Sequence, residues 1–497
     1  MKKIKLDLQP EVRRLLSDVR TFLDERTELV FVTGGFVRNA ISGVPVRDLD
    51  LSIDGDPTSL GRLLADDLGG TFFVLDEERG HVRVMLPKHR RHVDLLPLRG
   101  TIENDLGLRD YTVDAMALGL DDVFGDEVTV IDPLGGMDDL SRRIIRCVSE
   151  QALKDDPLRL LRGARIATER GFTVEAETEA IIQHNAGLLA ESAAERQREE
   201  LIRILNTDTA ASGFRLLDSL GILPVLFPEA EVMRGVEQPK EHHWDVLGHA
   251  FACVEMLDAL LAGMEPDRPD ANRLWATLWA DLDWWEGRQP YLSGEIVQGA
   301  PRSAVIKLCG FLHDIGKPAT KSIDDNGRMR FFGHSDTGAG LAAAVLRRLR
   351  FSAAEIDFVH KMIAAHLRPV QMSQQGPPTD RAILRYFRAT GDAGIATLFL
   401  SLADHLATVG PRLSWEGWRQ HVALVDYILR KRVLEQSVVS PPKLIRGDDL
   451  IDALEIEPGP VVGGLLAKIE EAQAAGDVTT RKQAIALARD ELERGDA

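Results

Sequence analysis

Residues 29–53, LVFVTGGFVRNAISGVPVRDLDLSI, contain two short apolar segments separated by a glycine pair and a polar turn. The two segments, 29–35 and 48–53, have the composition of β-strands. In a strand, residues two apart project to the same side, so Asp48 and Asp50 place two carboxylates together. These like charges repel, and a hard divalent cation such as Mg²⁺ relieves the repulsion while it binds phosphate oxygens. The stretch predicts an α/β domain that carries metal-dependent phosphate chemistry.

The glycine pair between the two strands supports this interpretation. At Gly34 and Gly35 the backbone can approach a triphosphate closely, and Arg38 can donate charge-assisted hydrogen bonds to it. A solvated turn is the alternative explanation for the two acids taken alone. The sequence has neither a dinucleotide fingerprint nor a P-loop at this point, and GFLHDIGKP (310–318) has the wrong spacing for a P-loop.

Two later segments add polar residues of the same type. Asp94, in the apolar run HVDLL, is either a third carboxylate that bridges metals and orients an attacking hydroxyl, or an edge-strand acid without a chemical role. Arg109 and Asp110, in RDYTVDA, either contact phosphate and ribose or form an ordinary surface ion pair.

The segment DDPLRLLR (155–162) predicts a helix start, with Asp156 at the N-cap and Pro157 in the first helical position. Its spacing places three charged residues on one face of that helix, Asp155, Arg159 and Arg162. A carboxylate acceptor beside an arginine donor fork can read the edge of a base as another base would. A capped helix with an internal salt bridge is the alternative.

Composition excludes several classes of protein. The 497 residues suffice for about three domains, and 44% apolar with 28% charged residues excludes a disordered or collagen-like chain. With 60 basic against 78 acidic residues, the formal charge of -18 excludes a generally basic nucleic-acid coat. Residues 142–170 are locally basic, with eight Lys or Arg against four acids, which predicts a neck that faces RNA. Three scattered cysteines indicate neither a disulfide framework nor a thiolate zinc site.

The periodicity predicts the α+β class: a mixed α/β head with a small mixed sheet, followed by a mostly helical remainder. We expect a head over 1–146, a helical neck over 147–232, a helical body over 233–435 and a helical tail over 436–497. The body holds an insertion whose tryptophans are expected to pack in the core rather than stack on bases: Trp275, Trp279, Trp284 and Trp285. No apolar run reaches the roughly 20 residues that cross a bilayer, and no signal peptide is recognisable, so we expect a cytoplasmic protein without a membrane partner.

Histidines and acids recur along the helical body. Imidazole and carboxylate suit Mn, Fe, Ni, Co or Zn, and a His-Asp pair followed by distant His and Asp residues can gather around one or two such ions. With two metals, a bridging hydroxide could attack a phosphoester. Each histidine alone is more simply explained as an ordinary core or surface residue. The six residues are His249, His313, Asp314, His334, His366 and Asp404.

Six segments over about residues 29–205 resemble, in order, the class II tRNA nucleotidyltransferase and bacterial poly(A) polymerase family. They are GGFVRNAISGVPVRDLDLSIDGD, VDLLPLRG, LGLRDYTVDAMAL, IDPLGGMDDLSRRIIR, DDPLRLLRGARIA and ERQREELIRIL. The resemblance implies that the 3′-hydroxyl of a tRNA attacks the α-phosphate of CTP or ATP and releases pyrophosphate.

The resemblance also implies roles for the residues named above. The catalytic metals would be held by Asp48 and Asp50, with Asp94 as the third carboxylate. The triphosphate would be held by Gly34, Gly35 and Arg38. The ribose would lie near Arg109 and Asp110. The incoming base would be selected by Asp156 and Arg159, supported by Asp155 and Arg162.

This chain departs from the family pattern at three places. Asn39 stands where the family usually has Asp, and Asp114 stands where it usually has Asn. Only ten positions separate Arg99 from Arg109, whereas CCA-adding members have a longer loop that is implicated in the switch from adding C to adding A. The short connection resembles the CC-adding subgroup, so CCA addition and CC addition are both retained. Poly(A) polymerase is less favoured because the basic stretch after the Asp-x-Asp strand is absent.

Residues of about 240–410 resemble the HD phosphohydrolase superfamily. The resemblance rests on the order His249, LHDIGK (312–317) and Asp404, with His334 and His366 as ligands for a second metal. A metal-dependent phosphohydrolase as the main activity is therefore the alternative function. The sequence does not indicate an oligomeric state.

Overall fold

The computed structural model describes residues 2–24, 26–27, 29–46, 48–262, 278, 280–435, 439 and 442–494. Two of the four tryptophans of the expected insertion, Trp275 and Trp279, lie outside these residues. The chain divides into two compact units, one of Met1–Ala193 with Leu216–Val225 and the other of Ala194–Arg215 with Leu226–Ala497.

The described residues of the first unit form ten strands. They are β1 Lys2–Ile4, β2 Val30–Thr33, β3 Leu49–Ile53, β4 Thr71–Asp76, β5 His81–Leu86, β6 Arg91–Pro97, β7 Ala117–Gly119, β8 Val128–Val130, β9 Ile144–Ile145 and β10 Thr173–Val174. Six of them form one sheet in the order β4-β5-β6-β3-β2-β7. The pair β3–β6 is parallel and its neighbours are antiparallel, which confirms the expected mixed sheet. Val32, Leu51 and Leu95 are fully buried in its central strands.

Helices cover this sheet and continue into the neck. Those that begin before residue 194 are Pro10–Leu23, Gly34–Ile41, Pro57–Leu68, Ile102–Leu106, Gly136–Arg142, Glu150–Asp155, Leu158–Arg170 and Ala176–Asn185, with 3₁₀ segments at Thr112–Asp114, Asp122–Phe124 and Ala186–Glu191. The strand expected over 29–35 ends at Thr33, because Gly34 has a φ of +64° and starts a helix.

Where the structure describes it, the second unit has helices and two small hairpins, β11 Glu295–Val297 with β12 Ala300–Pro301 and β13 Ser322–Ile323 with β14 Met329–Arg330. The helices from residue 194 onward are Ala194–Leu205, Ala210–Ser219, Leu223–Leu226, Pro228–Glu231, Val246–Ala262, Arg288–Ser293, Arg302–Leu312, Lys317–Thr320, His334–Arg348, Ala353–Ala365, Arg368–Gln371, Asp380–Thr390, Ala393–Val409, Trp415–Val433, Gly447–Leu454, Pro460–Ala474 and Arg481–Glu493, with a 3₁₀ segment at Gly410–Arg412. The C-terminal helices enclose their own small core around Leu450, Leu465 and Ile469.

The two described tryptophans of the insertion contact the body. Trp285 is buried against Phe399, with ring centroids 6.3 Å apart. Trp284 donates a hydrogen bond of 2.6 Å from Nε1 to Asp426. Across the described residues, no helix combines the length and apolar character that spanning a membrane requires.

Candidate functional site

The head site begins at β3 and β6, whose parallel register makes Asp50 and Asp94 direct partners. Asp48 is exposed and immediately precedes β3. The Asp50 carboxylate lies against the start of the Gly34–Ile41 helix, where a Cβ added to Gly34 would meet its Oδ2 at 3.0 Å. Gly34 therefore leaves the space that the Asp50 carboxylate fills.

Asp50 is the electrostatically strained member of the set. Burial, together with the nearby Asp94 and Asp48, raises its pKa to about 6, although Arg109 opposes the shift. Within the described part of the chain, Asp50 accepts no hydrogen bond and forms no ion pair. An all-oxygen set with excess negative charge is the donor chemistry that fits a hard divalent cation.

Asp94 is held differently from the other two acids. Arg83 binds it through two parallel hydrogen bonds, Nε to Oδ1 at 2.7 Å and Nη2 to Oδ2 at 2.8 Å. Burial raises the pKa of Asp94, but the hydrogen bonds from Arg83 and His81 outweigh it and lower the pKa to about 2. Sequence reasoning missed Arg83. Its signal was the polar pair His81 and Arg83, two residues apart in an otherwise apolar strand that pairs with the Asp94 strand.

Arg109 supports the sheet side of the site. Its Nη2 donates to Ser52 Oγ at 2.8 Å and to Asp105 Oδ2 at 3.0 Å. Its neighbour Asp110 is buried, accepts the backbone N–H of Tyr111 and pairs with Arg162 at 3.1 Å. The pair expected near the ribose is therefore integrated into two separate hydrogen-bond networks of the head.

The two departures from the family pattern have identified partners. Arg38 forms a buried ion pair with Asp114. Asn39 accepts a hydrogen bond from Arg170. Relative to the family pattern, one negative charge is lost at residue 39 and one is gained at residue 114. The two departures leave the net charge of this region unchanged. The acid at residue 114 pairs with Arg38.

The base-reading segment folds differently from the sequence expectation. Asp156 is not an N-cap, because one helix ends at Asp155 and the next begins at Leu158. Pro157 explains the break, since the residue before a proline is disfavoured in the α region, and Asp156 is extended with φ −144° and ψ 92°. The expectation that Asp155 shares a helix face with Arg159 and Arg162 is therefore wrong.

Contacts at this break place the remaining expected residues. Asp155 Oδ1 accepts a hydrogen bond of 2.7 Å from Gln151. Asp156 is buried and pairs with Arg79 at 3.0 Å, a residue that sequence reasoning missed. Arg159 Nη1 donates to the carbonyls of Leu108 at 3.0 Å and Ala152 at 2.9 Å.

The body site gathers all six expected residues around Asp314. The ligand atoms of His249, His313 and Asp314 lie within 4.8 Å of one another, and so do those of Asp314, His334 and His366. Asp404 Oδ1 lies 3.0 Å from His249 Nε2 and 3.7 Å from His313 Nε2. Asp314 thus belongs to two adjacent groups that could each hold a metal ion.

Hydrogen bonds orient the imidazoles toward the centre of this cluster. The Nδ1 atoms of His313, His334 and His366 bond backbone carbonyls at 2.8, 2.7 and 2.7 Å. A carbonyl only accepts, so each Nδ1 carries a hydrogen, and Nε2 is the ring nitrogen that would bind a metal. Two such Nε2 atoms, of His334 and His366, are 3.3 Å apart, an approach that a shared cation stabilises.

The electrostatics of the cluster favour a cation strongly. Burial lowers the pKa of the His313 imidazole, but Asp314 and Asp404 outweigh it and raise the pKa to about 10. Burial raises the pKa of Asp314, but His313 and Lys317 outweigh it and hold the pKa well below its usual range. Lys317, whose Nζ lies 2.6 Å from Asp314 Oδ2, is a further polar contact that sequence reasoning did not assign.

Family models match four parts of the chain. They are a Poly A polymerase head domain over residues 87–146, a probable RNA and SrmB-binding site of polymerase A over 171–233, an HD domain over 289–408 and a second tRNA nucleotidyltransferase domain over 429–488.

Whole-chain comparisons agree with these models. An A-adding tRNA nucleotidyltransferase of Deinococcus radiodurans is 35% identical over 92% of this chain and 94% of its own length. A CC-adding tRNA nucleotidyltransferase of Thermus thermophilus is 33% identical over 92% of each chain. The solved structure of a Bacillus stearothermophilus CCA-adding enzyme in complex with CTP has the same fold, with a TM-score of 0.61 at 19% identity over 98% of this chain and 99% of that chain. This chain belongs to the tRNA nucleotidyltransferase family.

Proposed function

We propose that the head transfers cytidine nucleotides from CTP to the 3′ end of tRNA and stops before the terminal adenosine. Family membership carries the reaction class, but relatives named A-adding and CC-adding are about equally similar, so similarity does not decide the nucleotide. The connection after β6 supports the choice: only four residues separate Pro97 from the helix that begins at Ile102. The longer loop associated with the change from C to A has no counterpart there.

The residues of the head have separate tasks in this reaction. The family depends on divalent metal, which we propose is Mg²⁺ held by Asp48 and Asp50; when bound, it supplies charge stabilisation to the phosphates. Asp94, whose carboxylate Arg83 holds in place, accepts a hydrogen bond from the 3′-hydroxyl or orients that hydroxyl. Triphosphate oxygens are bound by the helix start at Gly34 and Gly35 and by Arg38, with Arg109 and Asp110 toward the ribose.

The helix break supplies the base-reading groups of the proposal. Asp156 is the acceptor for an exocyclic amino group, and Arg159 is the donor for ring acceptors. Asp155 and Arg162 support them from either side of the break. The division of the chain that goes with this proposal is a head over 1–146, a neck over 147–232, a body over 233–435 and a tail over 436–497. We place the protein in the cytoplasm because its proposed substrate is tRNA.

Primer extension tests the nucleotide choice. The protein is given three tRNAs, ending before CCA, after C and after CC, each with CTP alone, ATP alone or both. Whenever CTP is present, we expect the protein to add two C residues to the first tRNA and one C to the second. We expect no nucleotide to be added to the third tRNA. Addition of A to the third substrate contradicts CC addition, and long A tails on all three indicate a poly(A) polymerase.

A second activity is supported by the body cluster. The two groups that share Asp314 would hold metal ions, which would supply an activated hydroxide for phosphoester hydrolysis, and we propose a phosphohydrolase that uses a transition metal such as Mn, Ni, Co, Fe or Zn. Turnover of a generic phosphodiester and a phosphomonoester, measured after addition of each metal, tests this. We expect turnover that His313→Ala abolishes; an absence of turnover with every metal contradicts it.

A further inference from the structure

The β4–β5 hairpin carries an arginine at its tip that neither the family models nor the motifs assign. Arg79 lies in the turn between Asp76 and His81. Asp76 Oδ1 accepts the backbone N–H of Arg79 at 3.0 Å, and its Oδ2 lies 3.7 Å from Arg79 Nε. The same acid therefore fixes both the backbone and the side chain of Arg79 before it reaches any other element.

The Arg79 guanidinium binds the helix break at two adjacent residues. Nη1 donates to Asp156 Oδ2 at 3.0 Å, and Nη2 donates to the backbone carbonyl of Asp155 at 2.9 Å. A planar guanidinium has fixed donor directions, so these two bonds set both the carboxylate of Asp156 and the path of the chain beside it. Asp156 is only 6% exposed, which leaves the carboxylate few alternative positions.

The second base-reading group is fixed from the opposite side of the break. Arg159 Nη1 donates to the carbonyls of Leu108 and Ala152. Arg159 follows the break by only three residues, so both groups are attached to the same short segment. Together, Arg79 and these carbonyls hold an acceptor and a donor at a set separation.

We propose that Arg79 is a specificity-determining positioning residue that restricts the head to cytosine; this rests on the proposed function. Cytosine presents its N4 amino group to an acceptor, and adenine presents its N6 amino group in a similar way. The purine is larger, so its amino group lies farther from the sugar, and the acceptor must move to accept both bases. A carboxylate held by Arg79 keeps the position that suits cytosine and rejects adenine.

The test compares the full-length protein with Arg79→Ala and Arg79→Lys. The measured quantities are kcat/KM for CTP on a tRNA that ends before CCA and kcat/KM for ATP on a tRNA that ends in CC. Because the unmodified protein is expected to add no A to the second tRNA, its kcat/KM for ATP is set to the detection limit of the assay. We expect Arg79→Ala to add A measurably and so to lower the CTP-to-ATP ratio by about tenfold or more, equivalent to ~1.4 kcal/mol of discrimination. Arg79→Lys keeps the charge without the planar fork and restores only part of the ratio.

Arg20→Ala is the matched control, because Arg20 forms another partly exposed head ion pair, with Asp121 at 2.6 Å. We expect its ratio to equal that of the unmodified protein. An unchanged ratio in Arg79→Ala overturns the inference, and so does an equal loss of both activities with a lowered melting temperature, which would show a structural role only. Failure of the unmodified protein to use CTP on any tRNA overturns the proposed function, and the inference with it.

Discussion

The head site and the body site both bring acidic side chains together, but the residues of each come from different kinds of elements. In the head, the acids come from two paired strands, and the side chain of Asp48 is 48% exposed. In the body, the candidate ligands lie in five helices between His249 and Asp404 or directly after them, and both His249 and His313 are fully buried. The acid that precedes β3 is therefore accessible to a large molecule, whereas the body cluster is enclosed by its surroundings.

The charges differ as well. In the head, burial and the neighbouring Asp94 and Asp48 raise the pKa of Asp50 to about 6 against the opposing charge of Arg109. The body surrounds Asp314 with imidazoles and Lys317, so the pKa of Asp314 is held well below its usual range. Oxygen ligands with excess charge select a hard cation, and imidazoles with a carboxylate select a transition metal. The comparison predicts two sites that respond to different metals and different substitutions.

Substitution of the shared carboxylate should have the largest effect on the body. Asp314→Asn removes a ligand from both metal groups, so we expect bound transition metal to fall from two ions to at most one and phosphohydrolase turnover to fall about 10³-fold. CTP incorporation should stay within about twofold. Metal analysis and both activity assays check this, with Asp357→Asn on the body surface as the control. Retention of two ions would contradict the role of Asp314.

The pH dependence of the head should follow Asp50. Its pKa is raised from an ordinary value of 3.8 to about 6, so protons compete with the cation at higher pH than is usual for an aspartate. We expect the apparent Mg²⁺ affinity in CTP incorporation to be constant above pH 7 and to fall about tenfold per pH unit well below pH 6. A constant affinity down to pH 5 would contradict the electrostatics described for Asp50.

Removing the partner of Asp94 should destabilise the head in a pH-dependent way. Arg83→Met removes both hydrogen bonds of the guanidinium and leaves the buried Asp94 carboxylate with His81 at 3.5 Å, which we expect to lower the free energy of unfolding by about 2 kcal/mol at pH 7. The folded pKa of Asp94 is depressed to about 2, so this stabilisation is present above pH 4 and is lost as the pH falls from about 4 to 2. Urea unfolding across pH 7 to 3 measures it, and Arg20→Met serves as the control. An equal difference at pH 7 and pH 3 would contradict the assignment.

Substitution of Trp284 should have the smallest effect, and it tests whether this side chain packs in the body. Trp284→Phe removes the hydrogen bond to Asp426 and weakens the stacking of Arg430, whose guanidinium carbon lies 4.7 Å from the ring centroid. We expect a loss of about 1 kcal/mol in the free energy of unfolding and unchanged tRNA affinity. Weaker tRNA binding with unchanged stability would instead indicate base stacking.

Much of the fold and of the candidate sites could be predicted from local sequence patterns. The mixed sheet followed from short apolar runs, and the resemblance of six ordered segments led to the family. The spacing Asp48-x-Asp50 and the order of the histidines placed acids and ligands that the structure does bring together. These properties depend on a few neighbouring residues or on the order of motifs along the chain, so they can be predicted from the sequence alone.

Side-chain contacts between different strands and loops could not be predicted from the sequence. Arg79 and Arg83 bind acids 77 and 11 positions away, and only the strand register and the hairpin path reveal that they do. Capping preference predicts Asp156 as an N-cap, but the effect of Pro157 on the preceding residue leaves Asp156 extended between two helices. The contact between Arg79 and Asp156, on which the proposed restriction to cytosine rests, joins two segments that are distant in the sequence.

The most direct test of two separate sites is incorporation of labelled CTP into tRNA lacking CCA by the unmodified protein, Asp50→Asn and His313→Ala. Asp54→Asn, an exposed acid next to β3, is the matched control. We predict that Asp50→Asn loses at least about 10³-fold in kcat/KM, while His313→Ala and Asp54→Asn keep full incorporation. Incorporation that survives Asp50→Asn, or that disappears in His313→Ala, would contradict the account.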